Sequence, residues 1–168
     1  MNDGIGDARK FILDGNLRDA AKLLDRIIGK NKEDDYAWYL RGLVSLKLNN
    51  HDYAHECFEH AMANKKKAEY FKGDGIAHME MLELKPAINS FERAAQVDVR
   101  DAENYFYIAA CYILLDNPTS KEYMQKAYLR DKKKTKEMLI EFYKHVYRNG
   151  QNVGKKTHEK IVEKIESI

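Results

Sequence analysis

Proline and cysteine are both scarce in this chain of 168 residues, which contains two of each. Because proline interrupts helices, its scarcity leaves long stretches of backbone able to form them. Cys57 and Cys111 share no spacing that is typical of a metal site or a redox motif. We therefore expect reduced thiols, as in a cytoplasm.

Long apolar segments are also missing. The sequence has no run of about 18 apolar residues, which is the length that a membrane-spanning helix needs. Its first residues, from Met1 to Gly6, lack the basic and apolar blocks of a signal peptide. We therefore expect a cytoplasmic protein that has no membrane partner.

Neither sign of charge dominates, because 29 basic and 27 acidic residues leave a net charge of +2. This balance gives no reason to expect a nucleic-acid partner. The charge is uneven along the chain, however, and residues 120–168 hold 13 basic against 7 acidic residues. A basic C-terminal third keeps one alternative open, an RNA- or ribosome-associated protein.

Motifs that carry catalysis are absent from the sequence. It contains no phosphate loop, dinucleotide fingerprint or HExxH pattern, and no nucleophile with a base beside it. Gly73 and Gly75 lie within one predicted helix and suggest a weak or kinked helix start. We therefore predict that the protein is not an enzyme and has no cofactor.

Residues 51–60 contain three histidines, which could indicate a metal site. His51 and His55 are four residues apart, with Cys57 and His60 close by. Zinc needs about four converging ligands. Because His51 falls in a turn and Cys57 and His60 point elsewhere around the helix, we predict no metal site there. The simpler interpretation is the polar face of a solvated helix.

An internal repeat is the strongest feature of the sequence. Gly42, Ala54, Phe58 and Ala61 recur 33 residues later as Gly75, Ala87, Phe91 and Ala94. Weaker copies of the same small–large–small pattern precede and follow these two units. They are Ala20, Leu24 and Ile27 before, and Ser120, Met124 and Ala127 after. Four units that share one pattern indicate a helical repeat protein.

The first half of each unit repeats as well. A small residue recurs at Ala8, Gly42, Gly75 and Ala109, and an aromatic residue precedes the last three of these by four positions. Glycine inside a helix costs about 1 kcal/mol relative to alanine. Its recurrence predicts close helix packing, with Gly42 facing Ala54 and Gly75 facing Ala87.

The segment from Ala37 to Gly42, followed by Ala54, Phe58 and Ala61, resembles the tetratricopeptide-repeat (TPR) signature. The resemblance implies an all-α fold, a helical-hairpin solenoid with a right-handed superhelix. It covers four units at about residues 1–34, 35–68, 69–100 and 101–131. Residues 132–168 then form two C-terminal helices, either a cap or a degenerate fifth repeat.

Helix boundaries follow from the turn residues. Asn117-Pro118 predicts an N-cap followed by proline at the first helical position, and Pro86 predicts a helix start of the same kind. Beyond the repeats, residues 136–147 and 155–168 are expected to be amphipathic helices. The second of these has Ile161, Val162, Ile165 and Ile168 at helical spacing.

In proteins of the TPR family, the first helices line a concave groove that holds the partner. The corresponding positions here also include Ile5 and Ala110. The candidate groove residues are Arg9, Ile12, Tyr39, Leu43, Leu46, Lys72, Ile76, Met79, Phe106 and Ile113. Side chains of the second helices, such as His55, Glu59 and Arg93, are expected to point outward.

Most of these groove positions are apolar, which favours an apolar partner. The carboxylate-clamp subset of the family has asparagine where this chain has Leu43 and Ile76. The expected partner is therefore another protein, bound through an amphipathic helix or an apolar extended peptide. A scaffold, co-chaperone or assembly factor fits this expectation, and self-association through the groove or the C-terminal helix stays open.

Two lysine runs, Lys65–Lys67 and Lys132–Lys134, lie 67 residues apart and so fall at equivalent places in the repeats. Each is expected to end a second helix, where cations suit the helix dipole. The alternative is a basic edge that meets an acidic protein or RNA.

Overall fold

The computed structural model describes residues 4–148, with side chains through Val146. Over this range all regular secondary structure is helical, which confirms the predicted all-α class. The helices are α1 (Ile5–Leu13), α2 (Leu17–Lys30), α3 (Asp35–Lys47), α4 (His51–Asn64), α5 (Ala68–Glu80), α6 (Leu84–Val97), α7 (Ala102–Leu114), α8 (Ser120–Arg130) and α9 (Lys132–Arg148). The predicted helix at 155–168 lies outside the described residues.

Short polar side chains set several helix starts. Asp34 accepts a hydrogen bond from the backbone N–H of Ala37 at 2.9 Å, and Asn50 accepts one from Tyr53 at 3.3 Å. Such caps satisfy amide groups that have no partner within the helix. In the turns that follow α1 and α3, Gly15 and Asn49 adopt positive φ angles, so the chain reverses within a few residues.

The chain forms two compact units, one up to Val99 and one from Arg100 onward. In the first unit, α1 pairs with α2, α3 with α4, and α5 with α6. Successive pairs contact each other because α2 packs on α3 and α4 packs on α5. The first helices also touch in order, α1 with α3 and α3 with α5. This arrangement is three stacked helical hairpins.

The second unit contains one more hairpin, α7 with α8, and the helix α9. This last helix packs on both α7 and α8. It therefore takes the place that the first helix of a further hairpin would occupy. A small core joins Phe106, Ala110 and Ala127 to α9 through Met138, Leu139 and Phe142.

Alanine and phenylalanine positions of the repeat are buried as the pattern predicts. Ala54, Phe58, Ala87 and Phe91 are all 0% exposed. The nearest neighbour of each glycine of the repeat is a phenylalanine ring. A Cβ atom on Gly42 would lie 2.6 Å from the Phe58 ring. The glycines make room for the phenylalanine ring.

Gly73 and Gly75 do not mark a kinked helix start, because α5 runs through both of them. A Cβ on Gly73 would lie 2.6 Å from the Phe58 ring, and a Cβ on Gly75 equally close to the Phe91 ring. The ring of Phe58 is therefore held between Gly42 on α3 and Gly73 on α5. Both glycines of α5 are packing sites.

Three boundary predictions are also wrong. Helix α8 starts at Ser120, and Asn117 caps the preceding turn by accepting a hydrogen bond from the Thr119 N–H at 2.9 Å. Pro86 is the third residue of α6 instead of its first. Lys132–Lys134 begin α9 instead of ending α8, because Asp131 accepts a hydrogen bond from the Lys134 N–H at 2.9 Å and caps the new helix.

Candidate binding face

Eight of the ten candidate groove residues lie on α1, α3 and α5, the first helices of the three hairpins in the first unit. These helices contact each other in order, α1 with α3 and α3 with α5. We call this set of residues the first-helix face. Its residues are Arg9, Ile12, Tyr39, Leu43, Leu46, Lys72, Ile76 and Met79.

Seven of these eight side chains are half-buried, and Arg9 is exposed. Leu43 packs against the buried core of the first two hairpins and also against the cluster of Ala54, Phe58 and Ala77. Tyr39 lies among other aromatic rings, with its ring centroid 5.0 Å from that of Tyr70. Ile12 and Leu46 also pack against these clusters, so four of the apolar side chains have one side against the core and remain partly accessible.

In the second unit the two remaining candidates have different environments. Phe106 is only 2% exposed, because α9 covers it and the Phe142 ring lies edge-on with centroids 6.3 Å apart. Ala110, on the same stripe, is fully buried. Ile113 is half-buried beside the turn at Asp116–Pro118. Phe106 therefore contributes core packing and offers no surface to a partner.

A buried carboxylate ties the second hairpin to the third. Asp35 is 6% exposed, and its side chain accepts hydrogen bonds from Tyr70 at 2.5 Å and Lys65 at 2.8 Å. Lys67 lies 3.2 Å from the same carboxylate. Burial alone would raise the pKa of Asp35, but the hydrogen bonds from Lys65, Tyr70 and Lys67 outweigh it and lower the pKa to about 2.

These contacts also show what the lysine runs do. Lys65 and Lys67 pair with Asp35, and Lys134 pairs with Glu103 of α7. Part of the charge of both runs is thus neutralised within the protein. This pairing weakens the interpretation of the runs as a basic edge.

A second polar cluster lies where α4 meets α5. The prediction that His55 points outward is wrong, because its Nδ1 lies 2.6 Å from Oδ1 of the buried Asp74. His78, one helical turn after Asp74, places its ring centroid 4.5 Å from that of His55. The sequence pattern does not predict this cluster, because the partners of His55 lie on α5 and not on its own helix. The available signal was the i, i+4 spacing of Asp74 and His78.

Neither cysteine is placed for nucleophilic chemistry. Cys57 and Cys111 are free thiols and 0% exposed. Burial raises the pKa of each thiol to about 12, so both are protonated at neutral pH. The two residues serve as small apolar groups in the core.

No family model matches the sequence. No curated protein matches it either. Solved structures do match. A crystal structure of MamA aligns with a TM-score of 0.74 and 16% identity, covering 95% of this chain and 95% of that chain. YrrB, a TPR protein with an unusual peptide-binding site, aligns with a TM-score of 0.69 and 17% identity, covering 95% and 84%.

A third match is the APC/C hetero-tetramer Cut9–Hcn1, with a TM-score of 0.70 and 17% identity. It covers 76% of this chain but only 26% of that much longer one. The fold is therefore that of tetratricopeptide-repeat proteins, as the repeat predicts. Among the described residues, no helix is long and apolar enough to cross a membrane.

Proposed function

We propose that this chain is a non-catalytic protein-interaction module, and that its first-helix face binds an amphipathic helix or an apolar extended segment of another protein. The observation that carries the proposal is the row of half-buried apolar side chains on α1, α3 and α5. A scaffold, co-chaperone or assembly factor would use such a face. Because both thiols are free and buried, we also propose that the protein acts in the cytoplasm.

Binding energy on this face would come from its large side chains. Burying apolar surface contributes roughly 25 cal/mol per Å² before the costs of association. Tyr39 and Leu43 already pack against the core, so binding would order few additional rotamers there. Arg9 and Lys72, at either end of the row, would favour a ligand that carries acidic residues beside its apolar ones.

The proposal can be tested without a known partner. A display library of random peptides is selected on the purified protein, and the enriched sequences are measured by isothermal titration calorimetry. We expect enrichment of peptides with apolar residues at helical or alternating spacing. Since a central contact residue often contributes about 2 kcal/mol, Leu43→Asp or Ile76→Asp should weaken binding roughly 30-fold.

Leu82→Asp is the matched control, because Leu82 is 64% exposed in the turn after α5 and outside the first-helix face. Circular dichroism establishes that each variant is folded. Full binding by both Leu43→Asp and Ile76→Asp would exclude this face. The alternative is an RNA- or ribosome-associated protein. It would be favoured if the protein binds RNA with an affinity that falls steeply as salt is added.

A further inference from the structure

We propose that His55, Asp74 and His78 form a binding site for one divalent transition-metal ion of the zinc class. Each residue offers one ligand atom, and the three atoms all lie within 4.8 Å of one another. His55 comes from α4, whereas Asp74 and His78 share one face of α5. The site therefore lies at the contact between the second and third hairpins, and it is separate from the first-helix face.

The inner atoms point toward each other. His55 Nδ1 lies 2.6 Å from Asp74 Oδ1, and His78 Nε2 lies 3.8 Å from Asp74 Oδ2. In a tetrahedral zinc site with bonds of about 2.0–2.1 Å, ligand atoms are roughly 3.3 Å apart. Small side-chain rotations would bring this donor set to that separation. The ion would then take the place of the direct contact between His55 and Asp74.

The outer nitrogen of each histidine faces a second carboxylate. His78 Nδ1 lies 2.7 Å from Glu83 Oε2, and His55 Nε2 lies 3.7 Å from Glu59 Oε1. In metal sites the outer ring nitrogen almost always donates a hydrogen bond, which fixes the tautomer and increases ligand basicity. The contact of His78 with Glu83 has hydrogen-bond length, whereas that of His55 with Glu59 is an ion-pair distance. The arrangement leaves one nitrogen of each ring directed at Asp74, as a metal site requires.

Asp74 is itself held in place. Its side chain is 5% exposed, and Ser90 of α6 donates a hydrogen bond to Oδ2 at 2.6 Å. The histidine side chains are 30% and 13% exposed, so an ion can reach the site from solvent and keep a water ligand. Two imidazoles and one carboxylate suit zinc, nickel, cobalt or copper, whereas magnesium and calcium prefer oxygen ligands alone.

The same place in the preceding repeat is built differently. Arg41 stands 33 residues before Asp74 and forms an ion pair with Asp25 at 2.7 Å. Arg41 also donates a hydrogen bond to Ser45, which stands 33 residues before His78. At this place in the preceding repeat, an arginine–aspartate ion pair stands where the later repeat has the histidine–aspartate cluster. The competing explanation for the histidine cluster is the same kind of structural pairing, and the experiment must separate the two.

The test uses the full chain without a histidine tag, stripped with a chelator and titrated with zinc chloride by calorimetry. We expect one ion per chain with a dissociation constant in the micromolar range or below. Cobalt chloride should give the visible absorption of a four-coordinate site, and magnesium chloride should not bind. Zinc should also raise the thermal unfolding midpoint, because the ion links two hairpins.

Variants locate the site. His55→Gln and His78→Gln should each lower zinc affinity at least about 30-fold, and Glu83→Gln about 10-fold, as for other outer-shell carboxylates. The matched control is His60→Gln, because His60 also lies on α4 but stacks on Trp38 with ring centroids 4.2 Å apart. Circular dichroism and the metal-free unfolding midpoint show whether each variant folds.

The proposal is overturned if calorimetry detects no saturable binding of one zinc ion per chain. It is also overturned if His60→Gln reduces binding as much as His78→Gln does. Either result would leave the cluster as a structural ion pair like that of Arg41. Neither result bears on the first-helix face, which is tested by peptide binding.

Discussion

At the scale of single residues, packing around two phenylalanine rings explains why this sequence repeats glycine inside helices. Phe58 and Phe91 are fully buried, and each occupies space that a side chain on the neighbouring helix would fill. The spacing of Gly42 and Gly75 predicts a close contact but not its partner. A linear pattern shows which positions recur, whereas the direction of a ring depends on its rotamer and neighbours.

Gly75→Ala should destabilise the protein even though alanine is the better helix former. A Cβ at this position lies 2.6 Å from the Phe91 ring, which is enclosed on all sides and has little room to move. Overpacking of this kind costs about 1–3 kcal/mol. Urea denaturation measures the change in the free energy of unfolding.

Gly29→Ala is the control for this experiment, because a Cβ on Gly29 meets no atom within 4 Å. Its free energy of unfolding should stay unchanged or rise by up to about 1 kcal/mol. If both substitutions stabilise the protein, the assigned contact between Gly75 and Phe91 is incorrect.

Asp35 should make the free energy of unfolding depend on pH in the acidic range. Its folded pKa of about 2 lies below the ordinary value of 3.8, so the unfolded chain takes up the proton first. The ionised Asp35 carboxylate therefore stabilises the folded protein by about 2 kcal/mol above about pH 4. This stabilisation is lost as the pH falls toward 2.

The difference in the free energy of unfolding between the wild type and Asp35→Asn should narrow by about 1–2 kcal/mol between pH 6 and pH 2.5. Asp52→Asn, which removes an exposed carboxylate in the first turn of α4, is the control. A difference that is constant over this range would show that the Asp35 carboxylate is not held ionised by its partners.

At the scale of helices, α9 is the element that sequence reasoning placed least well. The sequence pattern predicts that this helix begins at residue 136 and that the preceding lysines end α8. The structure begins it at Lys132, immediately after the cap formed by Asp131. A run of like charges opposes helix formation near an N-terminus only weakly. A single aspartate cap together with packing on α7 is enough to overcome it.

Phe142→Ala should reduce the stability of the second unit, because this ring covers Phe106. Replacing a fully buried phenylalanine with alanine lowers the free energy of unfolding by about 3–5 kcal/mol. Because Phe142 is half-buried, its replacement should lower it by about 2 kcal/mol. Ile140→Ala is the control on the same helix, since Ile140 is 41% exposed. If urea denaturation shows that both variants lose the same free energy of unfolding, α9 packs through a different face.

At the scale of the whole molecule, the repeat predicts the fold because each hairpin must bury the same small and large positions against its neighbour. The same periodicity predicts the first-helix face, but it cannot reveal that α9 buries Phe106. It also cannot join His55 to Asp74, since those residues meet across helices and the preceding repeat has Arg41 where this one has Asp74. Both features occur once in the part of the chain that the structure describes, so a repeat pattern does not predict them.

The central claim is that the first-helix face binds protein. It is tested most directly by methyl NMR of isoleucine-, leucine- and methionine-labelled protein with a selected peptide. The account predicts shifts or intermolecular contacts at the methyl groups of Ile12, Leu43, Ile76 and Met79. It predicts unchanged signals at Leu129 and Ile140, which are exposed on α8 and α9. Saturable peptide binding that perturbs Leu129 and Ile140 and leaves the four first-helix methyl groups unchanged would contradict it.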